Sequence, residues 1–123
     1  MNSETFRKMA LGMPGAIESA HMNHPDFRIE GKIFATLGPP EDESWGMVKL
    51  TPEQQRSFMK KAPSVFSPCS GAWGKRGATQ VHLASANRSV LRAALNAARK
   101  NVTAKAEGKA ALASTGAKAE RNI

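Results

Sequence analysis

Apolar residues in the middle of the chain alternate with polar ones, which indicates β structure. In residues 27–37, FRIEGKIFATL, the apolar positions are two apart on either side of Glu30 and Gly31. A period of two is typical of a strand, and Glu-Gly between two such runs is typical of a tight turn. We therefore predict a hairpin here and two more strands at residues 45–50 and 79–83, where the alternation returns.

Apolar residues spaced by three or four positions predict helices. The second helix has the clearest start, because Thr51 and Gln54 form a capping box and Pro52 stands at the first helical position. A short first strand is expected at residues 16–23, with Ile17 as its main buried residue. The helices are expected at about residues 3–13, 51–61 and 87–102, and residues 63–78 between the elements are expected to be irregular.

This order of elements predicts an α+β fold with two layers. Strands that follow one another through short loops form an antiparallel sheet, and the helices would pack on one of its faces. We expect one domain at residues 1–102. Residues 103–123 form a basic tail rich in Ala and Lys, which holds too few large apolar residues for a core and is expected to be flexible or partly helical.

Charge is distributed unevenly over the 123 residues, whose net charge is +8. Residues 1–50 contain five basic and seven acidic side chains, whereas residues 51–123 contain thirteen basic and three acidic ones. A basic half suggests an anionic partner, of which nucleic acid is the commonest, although charge alone also serves solubility.

The sequence argues against several classes of protein. No apolar run is long enough to cross a membrane, and a single cysteine cannot form an internal disulfide, so we expect a cytoplasmic protein. Cys69 has no motif that would make it a nucleophile. His21, His24 and Asp26 are close in sequence but lack the helical spacing typical of metal ligands. We therefore predict no catalytic residues, no metal and no cofactor.

The loop at residues 70–79, SGAWGKRGAT, is the first candidate site. Glycines surround Trp73, Lys75 and Arg76. Such a loop can direct backbone N–H groups toward an anion while the two cations add charge. The alternative is a bend that leads into the next strand, with Trp73 packed against the edge of the domain.

The face of the sheet away from the helices is the second candidate. Strict alternation places Phe27, Ile29, Ile33, Ala35 and Leu37 toward the helices. It places Arg28, Lys32, Phe34, Thr36, Trp45, Met47 and Lys49 on the other face. Aromatic residues among cations can stack bases and bind phosphates. The alternative is that the apolar members cover one another, or that a second subunit or another protein covers them.

Three stretches resemble the MmcQ/YjbR family of small bacterial proteins: ALGMPGAIES, FRIEGKIFATL and GAWGKRGATQVHLASANRSVLRAALNAA. The resemblance covers about residues 5–102, and Met13 stands where the family commonly has Leu. It implies a CyaY-like, or frataxin-like, α+β fold and a DNA-binding function. Frataxins carry an acidic ridge on the first helix for iron. Here that helix has Glu4 beside Arg7 and Lys8, which argues against iron chemistry.

We therefore expect a small, non-enzymatic DNA-binding protein that makes mainly phosphate contacts, with weak, salt-sensitive binding and little sequence specificity. The alternative is a protein-interaction or small-ligand module that uses the open sheet face, with a protein partner or a homodimer. The residues expected to contact nucleic acid are Arg28, Lys32, Lys60, Lys61, Lys75, Arg76, Arg88 and Arg92. The residues of a possible interaction face are Phe34, Trp45, Met47 and Trp73.

Overall fold

The computed structural model describes the backbone of residues 1–115 and the side chains of residues 1–103. Its first half contains helix α1 (Ser3–Leu11) and strands β1 (Ala16–His21), β2 (His24–Ile29), β3 (Lys32–Leu37) and β4 (Trp45–Lys49). Its second half contains α2 (Pro52–Lys61), β5 (Phe66–Pro68), α3 (Gly71–Lys75), β6 (Ala78–His82), a 3₁₀ turn (Leu83–Ser85) and α4 (Arg88–Thr115).

The six strands form one open antiparallel sheet in the order β1-β2-β3-β4-β6-β5. Helices α1 and α4 supply Phe6, Leu91 and Leu95 to a core that buries one face of this sheet. The predicted α+β, two-layer architecture is therefore confirmed.

Two tight turns connect the first three strands. Met22 and Asn23 join β1 to β2 with φ values of 48° and 66°, and Glu30 and Gly31 join β2 to β3 with φ values of 52° and 79°. Two consecutive positive φ angles define the type I′ turn, whose twist matches that of the strands it joins. The Glu30-Gly31 turn is the one expected from the sequence, whereas the turn at Met22 was not.

A β-bulge interrupts the pairing of β2 with β3. Phe27 lies opposite Ala35 and Arg28 lies opposite Ile33, so Phe34 is an extra residue with no partner on β2. The extra residue reverses the alternation that the sequence shows. Ile33 consequently shares the face of Arg28, and Phe34 enters the core beside Ala35.

Three predicted orientations are therefore wrong. Phe34 is fully buried and does not belong to the open face, and Ile33, expected in the core, is half-buried on the other side of the sheet. Ile17 was expected to be buried, yet 59% of its surface is exposed. It lies opposite Arg28 on the uncovered face of an edge strand.

The segment expected to be irregular contains β5 and α3, and its position is fixed by a buried glutamine. The Nε2 atom of Gln55 on α2 lies 3.1 Å from the Gly74 carbonyl oxygen, 3.0 Å from that of Ala78 and 3.2 Å from the Thr79 hydroxyl. These bonds add to those that the Gly74 and Ala78 oxygens already accept from the backbone N–H groups of Gly77 and Cys69. One side chain thus attaches α3 and the start of β6 to α2.

Helix α4 is longer than expected. It continues past Val102 to Thr115, and residues 116–123 of the predicted tail lie outside the described residues.

The bulge can be tested with two adjacent alanine substitutions. Phe34→Ala should lower the free energy of unfolding by about 3–5 kcal/mol, because it leaves a cavity in the core. Ile33→Ala should cost about 1 kcal/mol, because Ile33 is only partly covered. Denaturant unfolding of the two variants measures both values. A larger cost for Ile33→Ala would mean that β3 keeps strict alternation and has no bulge at Phe34.

Candidate functional site

A cleft of about 920 Å³ opens at one end of the sheet. The tip of the β2–β3 hairpin, the connection from β4 to α2, α3 and α4 meet there. We call it the cationic cleft. The side chains that give it its character are Arg28, Lys32, Lys49, Arg76, Trp73 and Ile33, and its remaining lining includes Leu50, Pro52, Asn101 and Val102.

The bulge explains why a cleft forms at this place. In the described register, β3 pairs with β4 through Ala35, Thr36 and Leu37, and the first half of β3 has no partner on β4. The hairpin tip therefore separates from the central strands. Lys32 and Ile33 form one wall of the opening, and the end of β4 forms the opposite wall.

Glycines at two positions allow α3 to pack closely enough to place Trp73 in the cleft. A β-carbon on Gly74 would overlap the carbonyl oxygen of Cys69, and one on Gly77 would overlap that of Leu50. Gly77 also has a φ of 113°, which side chains with a β-carbon rarely adopt. Helix α3 and the residues that follow it thus lie directly against the end of β4.

An asparagine attaches α4 to the floor of the cleft. The Nδ2 atom of Asn101 donates to the backbone oxygen of Lys49 at 3.1 Å and to Oε1 of Gln54 at 2.8 Å. The same oxygen of Gln54 accepts from the backbone N–H of Thr51 in the capping box. The end of β4, the start of α2 and the middle of α4 are therefore held by one set of hydrogen bonds.

Arg28 is oriented by a carboxylate that is buried on the otherwise open face. Its Nε and Nη2 atoms donate to the two oxygens of Asp26 at 2.8 and 3.0 Å, and Nδ1 of His21 lies 2.8 Å from Asp26 Oδ2. The hydrogen bonds from Arg28, followed by those from His21, hold the pKa of Asp26 below its usual range, against the opposing effect of burial.

The electrostatics of the cleft come from the four cationic side chains that line it, Arg28, Lys32, Lys49 and Arg76. Lys32 and Arg76 form no ion pair with any residue that the structure describes. No described residue that lines the cleft carries a carboxylate. The ammonium of Lys49 lies 5.1 Å from the centre of the Trp73 ring, which is a cation–π contact. The site therefore carries positive charge beside an aromatic surface.

The fold brings together some of the residues that the sequence singled out. Arg28, Lys32, Arg76 and Trp73 all line the cleft, and Lys75 precedes Arg76 at the end of α3. Their convergence could not be read from the sequence, because three separate elements contribute them.

The other four predicted contacts lie elsewhere. Lys60 and Lys61 are at the far end of α2, about 12 Å along the helix from Pro52. Arg88 lies beside Lys8 and Met9 of α1. Along α4, Arg88 is about 20 Å from Asn101. Arg92 is one helical turn closer to Asn101 than Arg88 is.

Trp45 and Met47 lie on the open face as predicted, but both are half-buried. The ring of Trp45 packs against Gly38, where a β-carbon would come within 2.9 Å of it, and its centre lies 5.8 Å from that of His24. Trp45 is thus covered by its own chain, unlike Trp73.

Other candidate chemistry is limited within the described part of the chain. No group of three or more His, Cys, Asp or Glu side chains is placed to hold a metal ion. Burial raises the pKa of the Cys69 thiol, which keeps it protonated at neutral pH. None of the described helices is long and apolar enough to cross a membrane.

Sequence reasoning left two cleft residues out of the predicted site. Lys49 was assigned to the open face but not to the residues expected to contact nucleic acid, and Asn101 was not singled out. The capping box at Thr51 could have indicated the position of Lys49. It shows that β4 ends directly before the start of a helix, so Lys49 lies at the end of the sheet.

Comparisons with known proteins agree with the fold. A family model described as YjbR matches residues 11–101. The crystal structure of Deinococcus radiodurans protein DR2400, which has a DUF419 domain, is similar with a TM-score of 0.70 and 17% identity. The similarity covers 84% of this chain and 79% of DR2400. At that identity it shows a shared fold and no more. No curated protein matches the chain significantly.

The buried carboxylate predicts a pH dependence of stability. Because the pKa of Asp26 is lower in the folded state, the contribution of Asp26 is complete above the ordinary carboxyl pKa of about 4 and is lost as the pH falls through the folded-state value. Asp26→Asn should lower the free energy of unfolding at pH 7 by about 1.5–3 kcal/mol, the range for hydrogen bonds to a charged group.

Unfolding measured from pH 7 down to pH 2 should show the difference between wild type and Asp26→Asn narrowing below about pH 4. Glu30→Gln, at an exposed position in the turn between β2 and β3, is the control for a carboxylate outside the cluster. A difference that stays constant with pH would contradict the assigned ionisation of Asp26.

Proposed function

The chain belongs to the YjbR family, and from its cationic cleft we propose that it is a non-enzymatic protein that binds DNA, mainly through phosphate contacts and with little sequence specificity. The observation that carries the proposal is the grouping of Arg28, Lys32, Lys49 and Arg76 around one opening, with no carboxylate among the described residues that line it. A polyanion is the ligand that such a surface attracts.

The charge of the site supports binding to phosphates rather than reaction with a substrate. Lys32 and Arg76 have no carboxylate partner among the described residues, so their charge is available to a ligand. Arg28 is held by Asp26 and defines the shape of the wall. Among the residues that the structure describes, no histidine, thiol or carboxylate lines the cleft as a base or nucleophile.

The sequence that follows the cleft residues is basic. Asn101 and Val102, which line the opening, are followed in sequence by residues 103–123, which contain four basic and two acidic side chains. A basic segment attached at this point would add sequence-independent attraction to the phosphate backbone.

Charge reversal tests the location of binding. Lys32→Glu and Arg76→Glu should each weaken the binding of fluorescently labelled DNA by about tenfold at physiological salt. Each should also lower the slope of log K against log salt by about one, because one phosphate contact is lost. Fluorescence anisotropy with the full chain, over a range of salt concentrations, measures both quantities.

Lys60→Glu and Lys61→Glu are matched controls, since each changes the net charge by the same amount at the far end of α2. They should weaken binding much less. Equal losses in all four variants would mean that the total charge of the protein, and not the cationic cleft, accounts for the affinity.

The open sheet face supports a second candidate function, contact with a second copy of the chain. Ile17 is 59% exposed there, and Trp45 and Met47 leave part of their surface uncovered. Such a face would bury apolar area on pairing. Sedimentation should then show a dimer that Ile17→Glu dissociates, whereas a wild-type monomer at all accessible concentrations would eliminate this candidate.

A further inference from the structure

We infer that the cationic cleft selects single-stranded over duplex nucleic acid, with Trp73 as the surface on which an unpaired base stacks. This inference rests on the proposed function and names its substrate class. It starts from the exposure of Trp73, which leaves 59% of its surface open in a cleft whose other prominent side chains are cations.

The exposure of Trp73 follows from how α3 is attached to the rest of the protein. Gln55 donates to the Gly74 carbonyl oxygen, and the backbones of Gly74 and Gly77 lie too close to the carbonyl groups of Cys69 and Leu50 for a β-carbon to fit. Trp73 directly precedes Gly74, the residue that both Gln55 and Cys69 contact. Its indole is therefore presented to the cleft by a loop with little freedom to turn it inward.

The neighbours of Trp73 complement a nucleotide. The Lys49 ammonium lies 5.1 Å from the ring centre, and Lys32 and Arg76 line the same opening. A nucleotide places a flat aromatic base a short distance from a phosphate, so the base can contact the indole while the phosphate contacts a cation. A volume of about 920 Å³ is within the range of sites that hold ligands of this size.

The preference for a single strand follows from which nucleic acid can expose the flat face of a base to Trp73. In a duplex the faces of the bases are stacked on one another, and the protein meets phosphates and base edges. In a single strand the bases can separate and stack on aromatic side chains. A duplex would use the cations and leave Trp73 without a contact, whereas a single strand would use both.

The experiment compares two strands of equal charge. One is an oligodeoxythymidylate of about 12 nucleotides, a length within the usual site size for single-strand binders. The other has the same length and phosphates but abasic positions in place of the bases. The full chain, as wild type, Trp73→Ala and Trp73→Phe, is titrated with each strand and with a duplex of the same length.

Wild type should bind the thymidylate strand about tenfold more tightly than the abasic strand. Trp73→Ala should lose this preference and bind both alike, with the salt dependence of binding unchanged, and Trp73→Phe should restore part of it. Because Trp73 is largely exposed, its replacement should leave denaturant unfolding close to that of wild type.

The outcomes separate the inference from the proposed function. Equal affinity of wild type for the two strands, or duplex binding as tight as thymidylate binding, would overturn single-strand selection while Lys32→Glu and Arg76→Glu still weakened binding. If those two variants bound every probe as well as wild type, the proposed function itself would fail, and the inference with it.

Discussion

The extra residue in β3 is the constraint on which the rest of the structure depends. Phe34 stands between Ile33 and Ala35 without a partner on β2. The alternation of side chains between the two faces of the sheet therefore reverses at this residue. Phe34 can then fill the core under α4, while the first half of the strand separates from β4. The same insertion therefore completes the hydrophobic core and opens the cationic cleft. A regular hairpin with this sequence would place a phenylalanine in water and close the opening.

Polar side chains that each have two or more hydrogen-bond partners hold the parts around the cleft. Gln55 joins α2 to α3 and β6, Asn101 joins α4 to the end of β4, and Asp26 fixes Arg28. Buried polar groups of this kind are costly when a partner is missing, so each one specifies a single arrangement of the elements it joins. The positions of the cleft side chains thus depend on the hydrogen bonds of Gln55, Asn101 and Asp26.

Local patterns predicted much of the fold. The capping box at Thr51 and the Glu30-Gly31 turn both depend on neighbours in sequence, and both are present as expected. Phe34 and Ile33 could not be assigned correctly, because a bulge depends on the partner strand. The cleft was foreseen only in parts: Trp73 and Arg76 in one loop, Arg28 and Lys32 in one hairpin. Their meeting depends on the strand order, which places β6 beside β4 and leaves the hairpin tip free.

The edge strand β1 has a consequence for behaviour at high concentration. Within the described residues its outer side has no partner strand, and an unpaired edge can template the addition of further chains. Glu18 lies in the middle of β1, held at 3.1 Å by Nε of Arg7 on α1. An exposed ion pair of this kind adds little stability. A strand of a second molecule would have to align beside this charged pair in order to extend the sheet. Arg7 and Glu18 therefore disfavour aggregation through the edge of β1.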